Sequence, residues 1–355
     1  LRSQLSELEQ VNEELWNSLT YTLEMVRDPD PRWFFGANMR VGLDAWSSKT
    51  TEELVLQLSA SRLMGLNCLR IVFDVWKYVR PYQFLSDVMK RELKKIADSI
   101  WRAGARTLFT FDKVMWMNSD SEEFWIGYQQ YRDAILDMVR LLKDHPAIVA
   151  YDLSNEPILA IEGGVLEKKI TRKQADSWIS ELKEVYSVMR KDILSIDSDC
   201  LITVGDSDPR YIEHFKDIVD FTSFHDTGMW SPYPEENTWD GTPEDLRKRL
   251  RQKIGIAKSY GKPVVLEEYG TDPNYVYNVQ KWRLGTIKYH PKDYWNVILE
   301  EAEREGIGAL FWVVNIKAND PWNLAVRDDG ELTEIGWIVQ KFSFSRLRKR
   351  LSSSG

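Results

Sequence analysis

The chain has 355 residues, of which 43% are hydrophobic and 29% charged, with 47 basic against 55 acidic side chains and a formal net charge of −8. This is the composition of a folded globular protein, and its acidic balance is a poor match to phosphate, which excludes DNA and RNA as partners. No apolar run approaches the roughly 20 residues that span a bilayer, and 2 Cys and 4 His without HExxH spacing leave no basis for a disulfide framework, a metal centre or a cofactor.

Leu1, Leu5, Leu8, Leu15, Leu19 and Val26 recur at helical spacing, so residues 1–31 are expected to form an amphipathic helix and linker. The run Arg27-Asp28-Pro29-Asp30-Pro31 ends the helix. The stripe is short for a coiled coil, so docking on the body of the protein is expected rather than pairing with a second chain. The segment lacks the apolar core of a signal peptide. The chain starts without Met, which fits removal of a leader, and a secreted location is expected over a cytoplasmic one.

From residue 32 short apolar runs alternate with helical patterns. Strands are predicted at Trp33–Asn38, Asn67–Phe73, Arg106–Phe111, Ala147–Leu153, Leu201–Val204, Ile218–Phe224, Pro263–Glu268 and Ile307–Val314. The helices between and after them are predicted at Thr51–Met64, Met89–Ala103, Glu122–Leu142, Arg172–Leu194, Pro209–Phe215, Pro243–Ser259, Pro291–Glu305 and Glu334–Leu347. Gly65, Gly104, Gly261 and Gly306 each fall between a helix and the next strand, where a helix C-cap favours Gly. Eight βα repeats of this kind predict an α/β fold, a (β/α)8 TIM barrel over residues 32–349 with an extra N-terminal helix. A doubly wound open sheet is the alternative, but no GxGxxG follows the first strand. Residues 350–355 are expected to be a disordered tail. Cys68 and Cys200 fall on opposite sides of such a barrel and are expected to be ordinary buried thiols.

Active sites of such barrels occupy the C-terminal ends of the strands. The polar residues there are Asn38, Arg70, Asp74, Asp112, Asn155, Glu156, His225, Glu267, Glu268 and Asn315. Glu156 ends the fourth strand and Glu268 the seventh, so the two face each other across the mouth. Two facing carboxylates suit glycoside hydrolysis, in which one protonates the leaving oxygen and the other attacks the anomeric carbon or activates water. The 15 Trp support a sugar-stacking cleft. Trp46, Trp76, Trp116, Trp230, Trp239, Trp282 and Trp322 fall where loops are expected, and Trp116 and Trp230 are candidate sugar contacts. Trp16, Trp101, Trp178, Trp295 and Trp337 fall in helical patterns and are expected in the core. Glu267 and Glu268 are adjacent, and alternation along a strand admits only one of them to the cleft.

Asn155-Glu156-Pro157 and Glu268-Tyr269-Gly270 resemble the strand-end motifs of clan A glycoside hydrolases, and most closely family 5, the cellulase and mannanase family. Gly36-Ala37-Asn38, Asn67-Cys68-Leu69-Arg70, Ser223-Phe224-His225 and Phe311-Trp312 match further family positions in order along the chain. The resemblance runs from Trp33 to Lys349. It implies Glu156 as acid/base, Glu268 as nucleophile and retention at the anomeric carbon. It further implies Asn155 on the sugar 2-hydroxyl, Arg70 near the nucleophile, His225 supporting the acid/base and Trp312 under the reacting sugar. A cation near Glu268 favours its ionised form, and Glu156 needs a drier, less cationic setting to stay protonated. The family motif selects Glu268 over Glu267. The third strand departs from the family in ending Phe111-Asp112-Lys113 without a His. The sixth reads His225-Asp226-Thr227, without the family's Tyr, and Tyr269 is one candidate to replace it. Asp112 and Lys113 are then expected at the mouth, either binding substrate hydroxyls or pairing with each other, and the expected substrate is a β-linked glucan, mannan or related glycoside. A non-catalytic carbohydrate-binding barrel and a transglycosylase are the alternatives on the same scaffold. Nothing in the sequence bears on oligomeric state.

Overall fold

The computed structural model describes residues 30–39, 48–74, 79–112, 115–118, 123–226, 242–270, 291–312 and 331–353. The expected N-terminal helix, Trp230 and Asn315 lie outside these residues, as do Trp16, Trp46, Trp76, Trp239, Trp282 and Trp322. Ten strands are described: β1 (Phe35–Met39), β2 (Cys68–Asp74), β3 (Arg106–Asp112), β4 (Met115–Asn118), β5 (Glu123–Ile126), β6 (Ile148–Asn155), β7 (Leu201–Asp206), β8 (Thr222–Asp226), β9 (Val264–Tyr269) and β10 (Gly308–Phe311). The described α-helices are α1 (Ser48–Leu63), α2 (Asp87–Arg102), α3 (Tyr128–Leu142), α4 (Pro157–Leu166), α5 (Arg172–Leu194), α6 (Pro243–Ser259), α7 (Pro291–Glu305) and α8 (Glu334–Ser353).

Eight strands close into a parallel barrel in the order β1-β2-β3-β6-β7-β8-β9-β10, with β10 returning to β1. The strands are buried on both faces, which is why they read as apolar runs rather than alternating ones. Helices that directly precede a barrel strand return the chain to the bottom of the barrel. Gly65 and Gly104 sit in the left-handed region, at φ +69° and +80°, and turn α1 and α2 back into β2 and β3. Thr171 with Gln174 and Thr242 with Asp245 form capping boxes that fix the starts of α5 and α6. The main core lies between barrel and helices. A smaller cluster of Phe34, Cys68, Leu108, Val149, Ala150, Phe221, Val265 and Leu310 fills the barrel's lower end. Cys68 and Cys200 are both buried, free thiols.

The structure departs from the predicted elements in several places. Residues 123–126, predicted as helix, form β5, paired antiparallel with β4 so that Trp116 is in register with Trp125. Phe124, Trp125 and Ile126 favour a strand, and Gly127 marks the point where α3 can begin. Helix α4 was not predicted, and Pro209–His214 is a 3-10 helix. Trp295 is fully buried and Trp178 packs against the core, but Trp337 is 58% exposed. Ile335, Val339 and Ser343, four residues apart, define the inner face of α8, and Trp337 falls on the opposite side. Helix α8 runs to Ser353, past the residue where the tail was expected to begin.

Candidate active site

Above the apolar seal the barrel interior turns polar, and Arg70 organises it. Period-two alternation along β2 puts Arg70 on the same inward face as Cys68. Its side chain is fully buried. Nη1 donates to Asn38 Oδ1 at 2.9 Å and to Glu268 Oε1 at 2.5 Å. Nη2 donates to Asp152 Oδ2 at 2.8 Å and to Asn155 Oδ1 at 2.7 Å. Nε lies 3.3 Å from Glu267 Oε1. Burial works against the guanidinium charge, but Glu267, Glu268 and Asp152 outweigh it and keep it firmly protonated.

Two breaks in strand register explain how so many groups reach one cation. Along β9, Leu266 is opposite Phe224 but Glu268 is opposite His225, so Glu267 is an extra residue. Such a bulge suspends alternation. Both Glu267 and Glu268 therefore enter the barrel, against the expectation that only one would. In β6, Asp152 is opposite Thr203 while Asn155 is opposite Gly205, so one extra residue lets both reach Arg70.

Glu156 follows directly and has left-handed backbone, φ 50° and ψ 48°. This conformation is costly for a residue other than Gly, and is held here from two sides. The Glu156 amide donates to Gly205 O at 2.8 Å. Pro157 starts α4, whose free amides at Ile158 and Leu159 donate to the Asp206 carboxylate at 2.7 and 3.3 Å. Asp206 is buried, and burial followed by the charge of Glu156 raises it to about 7.

His225 joins the two halves of the site. Its Nδ1 lies 2.8 Å from Glu156 Oε1 and 3.7 Å from Glu268 Oε2, and its Nε2 lies 3.3 Å from Glu267 Oε2. One oxygen of Glu156, one of Glu268 and a ring nitrogen of His225 lie within 4.8 Å of one another. Burial alone would lower His225, but Glu268, Glu156 and Glu267 together hold it well above its ordinary value. The 2.8 Å contact between Nδ1 and Glu156 Oε1 is a distance at which the two groups can share a proton. Burial raises Glu268 although His225 and Arg70 pull it back down. Burial followed by Glu267 raises Asp152 to about 7.

The expected site residues fall into three groups. Glu156, Glu268, Arg70, Asn155 and His225 meet in this network. Asn38 is buried and spends its side chain inside the protein: Nδ2 donates to Glu267 O and Phe311 O, and Oδ1 accepts from Arg70. It braces the bulge. Trp312 follows β10 half-buried, its amide donating to Tyr269 O at 2.7 Å. Asp112 ends β3 in register with Asp74, and Trp116 lies on β4. Two expectations change. Tyr269 turns away from the barrel onto Trp295 and Phe311 and is fully buried, so it does not replace the missing Tyr. Glu156, with 28% of its side chain exposed against 9% for Glu268, is the wetter of the pair and has His225 beside it. Asp152, Asp206 and Ser223 were not anticipated. Their signal was a polar side chain inside an apolar strand.

A family model described as cellulase (glycosyl hydrolase family 5) matches residues 29–318. Mannan endo-1,4-beta-mannosidase A of Podospora anserina is 27% identical over 197 residues, 52% of this chain and 44% of that protein. The chain thus spans under half the length of that curated relative. Among solved structures, the endo-1,4-beta-D-mannanase of Thermotoga petrophila RKU-1 has a TM-score of 0.57 at 18% identity, covering 87% of this chain and 99% of the other. The exo-beta-1,4-mannosidase Op5Man5 of Opitutaceae bacterium strain TAV5 has a TM-score of 0.61 at 16% identity, covering 90% and 60%. At these identities the structural likeness speaks for the fold.

Proposed function

The chain belongs to glycosyl hydrolase family 5, and on that premise we propose that it is a retaining β-glycosidase acting on a β-linked glucan, mannan or related glycoside. The observation that carries this reading is the Glu156–Glu268 pair: an oxygen of each lies within 4.8 Å of the other, which supports the short carboxyl spacing of retaining enzymes, roughly 5–5.5 Å. Glu268 is the nucleophile. Arg70 and His225 counter the burial that raises it, so its carboxylate is ionised above an acid limb shifted upward from the usual range. Glu156, the more exposed carboxylate, meets the leaving oxygen as acid and then takes a proton from water as base. On this reading Asn155, held by Arg70, takes the sugar 2-hydroxyl, and Trp312 meets the face of the reacting sugar.

The test is hydrolysis of aryl β-glycosides and of β-linked mannan and glucan. Glu268→Gln is expected to abolish turnover while leaving sugar binding intact. Glu156→Ala is expected to slow poor leaving groups by about 10²–10⁴-fold. It should leave the first step on dinitrophenyl glycosides nearly unchanged, so that the glycosyl-enzyme accumulates with a burst and azide releases it as the β-glycosyl azide. Equal losses on good and poor leaving groups, with no burst and no azide product, would leave Glu156 structural and favour a carbohydrate-binding barrel.

A further inference from the structure

Glu267 has no part in a two-carboxylate displacement, yet it is fully buried at the centre of the network. Ser223 Oγ donates to its Oε2 at 2.6 Å, His225 Nε2 lies 3.3 Å from the same oxygen, and Arg70 Nε lies 3.3 Å from the other. Asn38 holds its backbone carbonyl at 2.9 Å. Gly205 makes room for it: a Cβ there would stand 2.0 Å from Oε2. We propose that Glu267 is a positioning residue that fixes the tautomer of His225, keeping the proton on Nε2 so that Nδ1 shares one proton with Glu156.

The inference rests on the retaining reaction proposed above, and follows from donor and acceptor counting. An ionised carboxylate only accepts, so His225 Nε2 must carry a hydrogen toward Glu267. Two states then remain across the 2.8 Å contact at Nδ1. Neutral His225 offers a lone pair and accepts from protonated Glu156. Cationic His225 donates to ionised Glu156. Both states hold the same proton, and the first is the one that can protonate the leaving oxygen. In the first step the Glu156 O–H bond breaks, its proton passes to the glycosidic oxygen, and that oxygen leaves with its bonding pair as a Glu268 oxygen bonds to the anomeric carbon. In the second step water bonds to that carbon, Glu268 departs with its electron pair, and the proton of water returns to Glu156. No proton is gained or lost over the cycle.

Every element around His225 bears on this balance. Glu156 faces it from the β6–α4 junction and Glu267 and Glu268 from β9, with Arg70 of β2 behind Glu267. Asp206 of β7 is close enough for its charge to be felt. Asp226, next along β8, is engaged by Arg249 and Lys253. Charge-assisted contacts with Arg70, His225 and Ser223 outweigh burial and keep Glu267 itself ionised.

Nitrogen-15 spectra of His225 in the unmodified protein test the tautomer directly. Nε2 is expected to stay protonated from pH 5 to 9, with Nδ1 alone changing state. A neutral ring carrying its hydrogen on Nδ1 overturns the proposal. In Glu267→Gln the alkaline limb of kcat/KM is expected to move down by about one pH unit or more, because the negative charge holding the shared proton is gone. The loss should fall on poor leaving groups and spare the first step on dinitrophenyl glycosides. A folded Glu267→Gln protein with an unmoved alkaline limb overturns the proposal, and if that variant does not fold the spectra of the unmodified protein decide alone. Full turnover in Glu268→Gln overturns the reaction and this inference with it; loss of turnover there with the wrong His225 tautomer overturns the inference alone.

Discussion

Gly205→Ala is the sharpest probe of the barrel interior, because one methyl group meets one carboxylate. The added Cβ would lie 2.0 Å from Glu267 Oε2 and 3.0 Å from His225 Nε2. Unstrained contact needs about 3.5 Å, so the carboxylate must retreat by about 1.5 Å. Ser223 holds that oxygen at 2.6 Å, and a retreat of this size breaks the bond. Loss of a buried hydrogen bond to a charged group costs about 1.5–3 kcal/mol, and overpacking adds about 1–3 kcal/mol. The expected loss is therefore about 2.5–6 kcal/mol, read by urea unfolding followed through tryptophan fluorescence at pH 7. In a Glu267→Ala background the obstacle is gone, and the same methyl should cost less than about 1 kcal/mol. A loss below about 1 kcal/mol in the single variant, or equal losses in the two backgrounds, would refute the packing described around Glu267.

Further outcomes follow from the same interior. Asp206, raised by burial to about 7, binds a proton in the folded protein at pH values where the unfolded chain has lost it. Stability should fall as pH rises from about 4 to about 7, and Asp206→Asn should flatten that slope in urea titrations at pH 5 and pH 8. Trp295→Ala, at a fully buried site, is expected to cost about 3–5 kcal/mol in the same assay. Trp337→Ser, on the outer face of α8, should change stability by less than about 0.5 kcal/mol.

The barrel was legible because its signals are local. Apolar runs, Gly65, Gly104, Gly261 and Gly306 at the turns, and Pro at the starts of α6 and α7 all lie within a few residues of what they specify. Helix α4 escaped notice because it has ten residues and two glycines in its middle, although Pro157 at its first position was a usable cue. Strand β5 was absorbed into the pattern of α3. The meeting of Arg70, Glu156, His225 and Glu268 was readable from motif order. The entry of both Glu267 and Glu268 was not, because a bulge is a property of register between strands and leaves no mark in either strand alone. Asp152 and Asp206 were missed for a related reason: the partners that make a buried carboxylate tolerable are far away in sequence.

Those separations govern how the chain assembles. Arg70 meets Asp152 across 82 residues and Glu268 across 198, and Asn38 reaches Phe311 across 273. Closing loops of this length is slow, and a guanidinium enclosed before its carboxylates arrive would carry an unpaid desolvation cost. The ion cluster is therefore expected to form late, after local βα units and the apolar seal beneath it, as β9 and β10 dock. An emerging polypeptide that ended before Val264 would lack both Glu267 and Glu268, so the step that closes the barrel also completes the ring of carboxylates around Arg70.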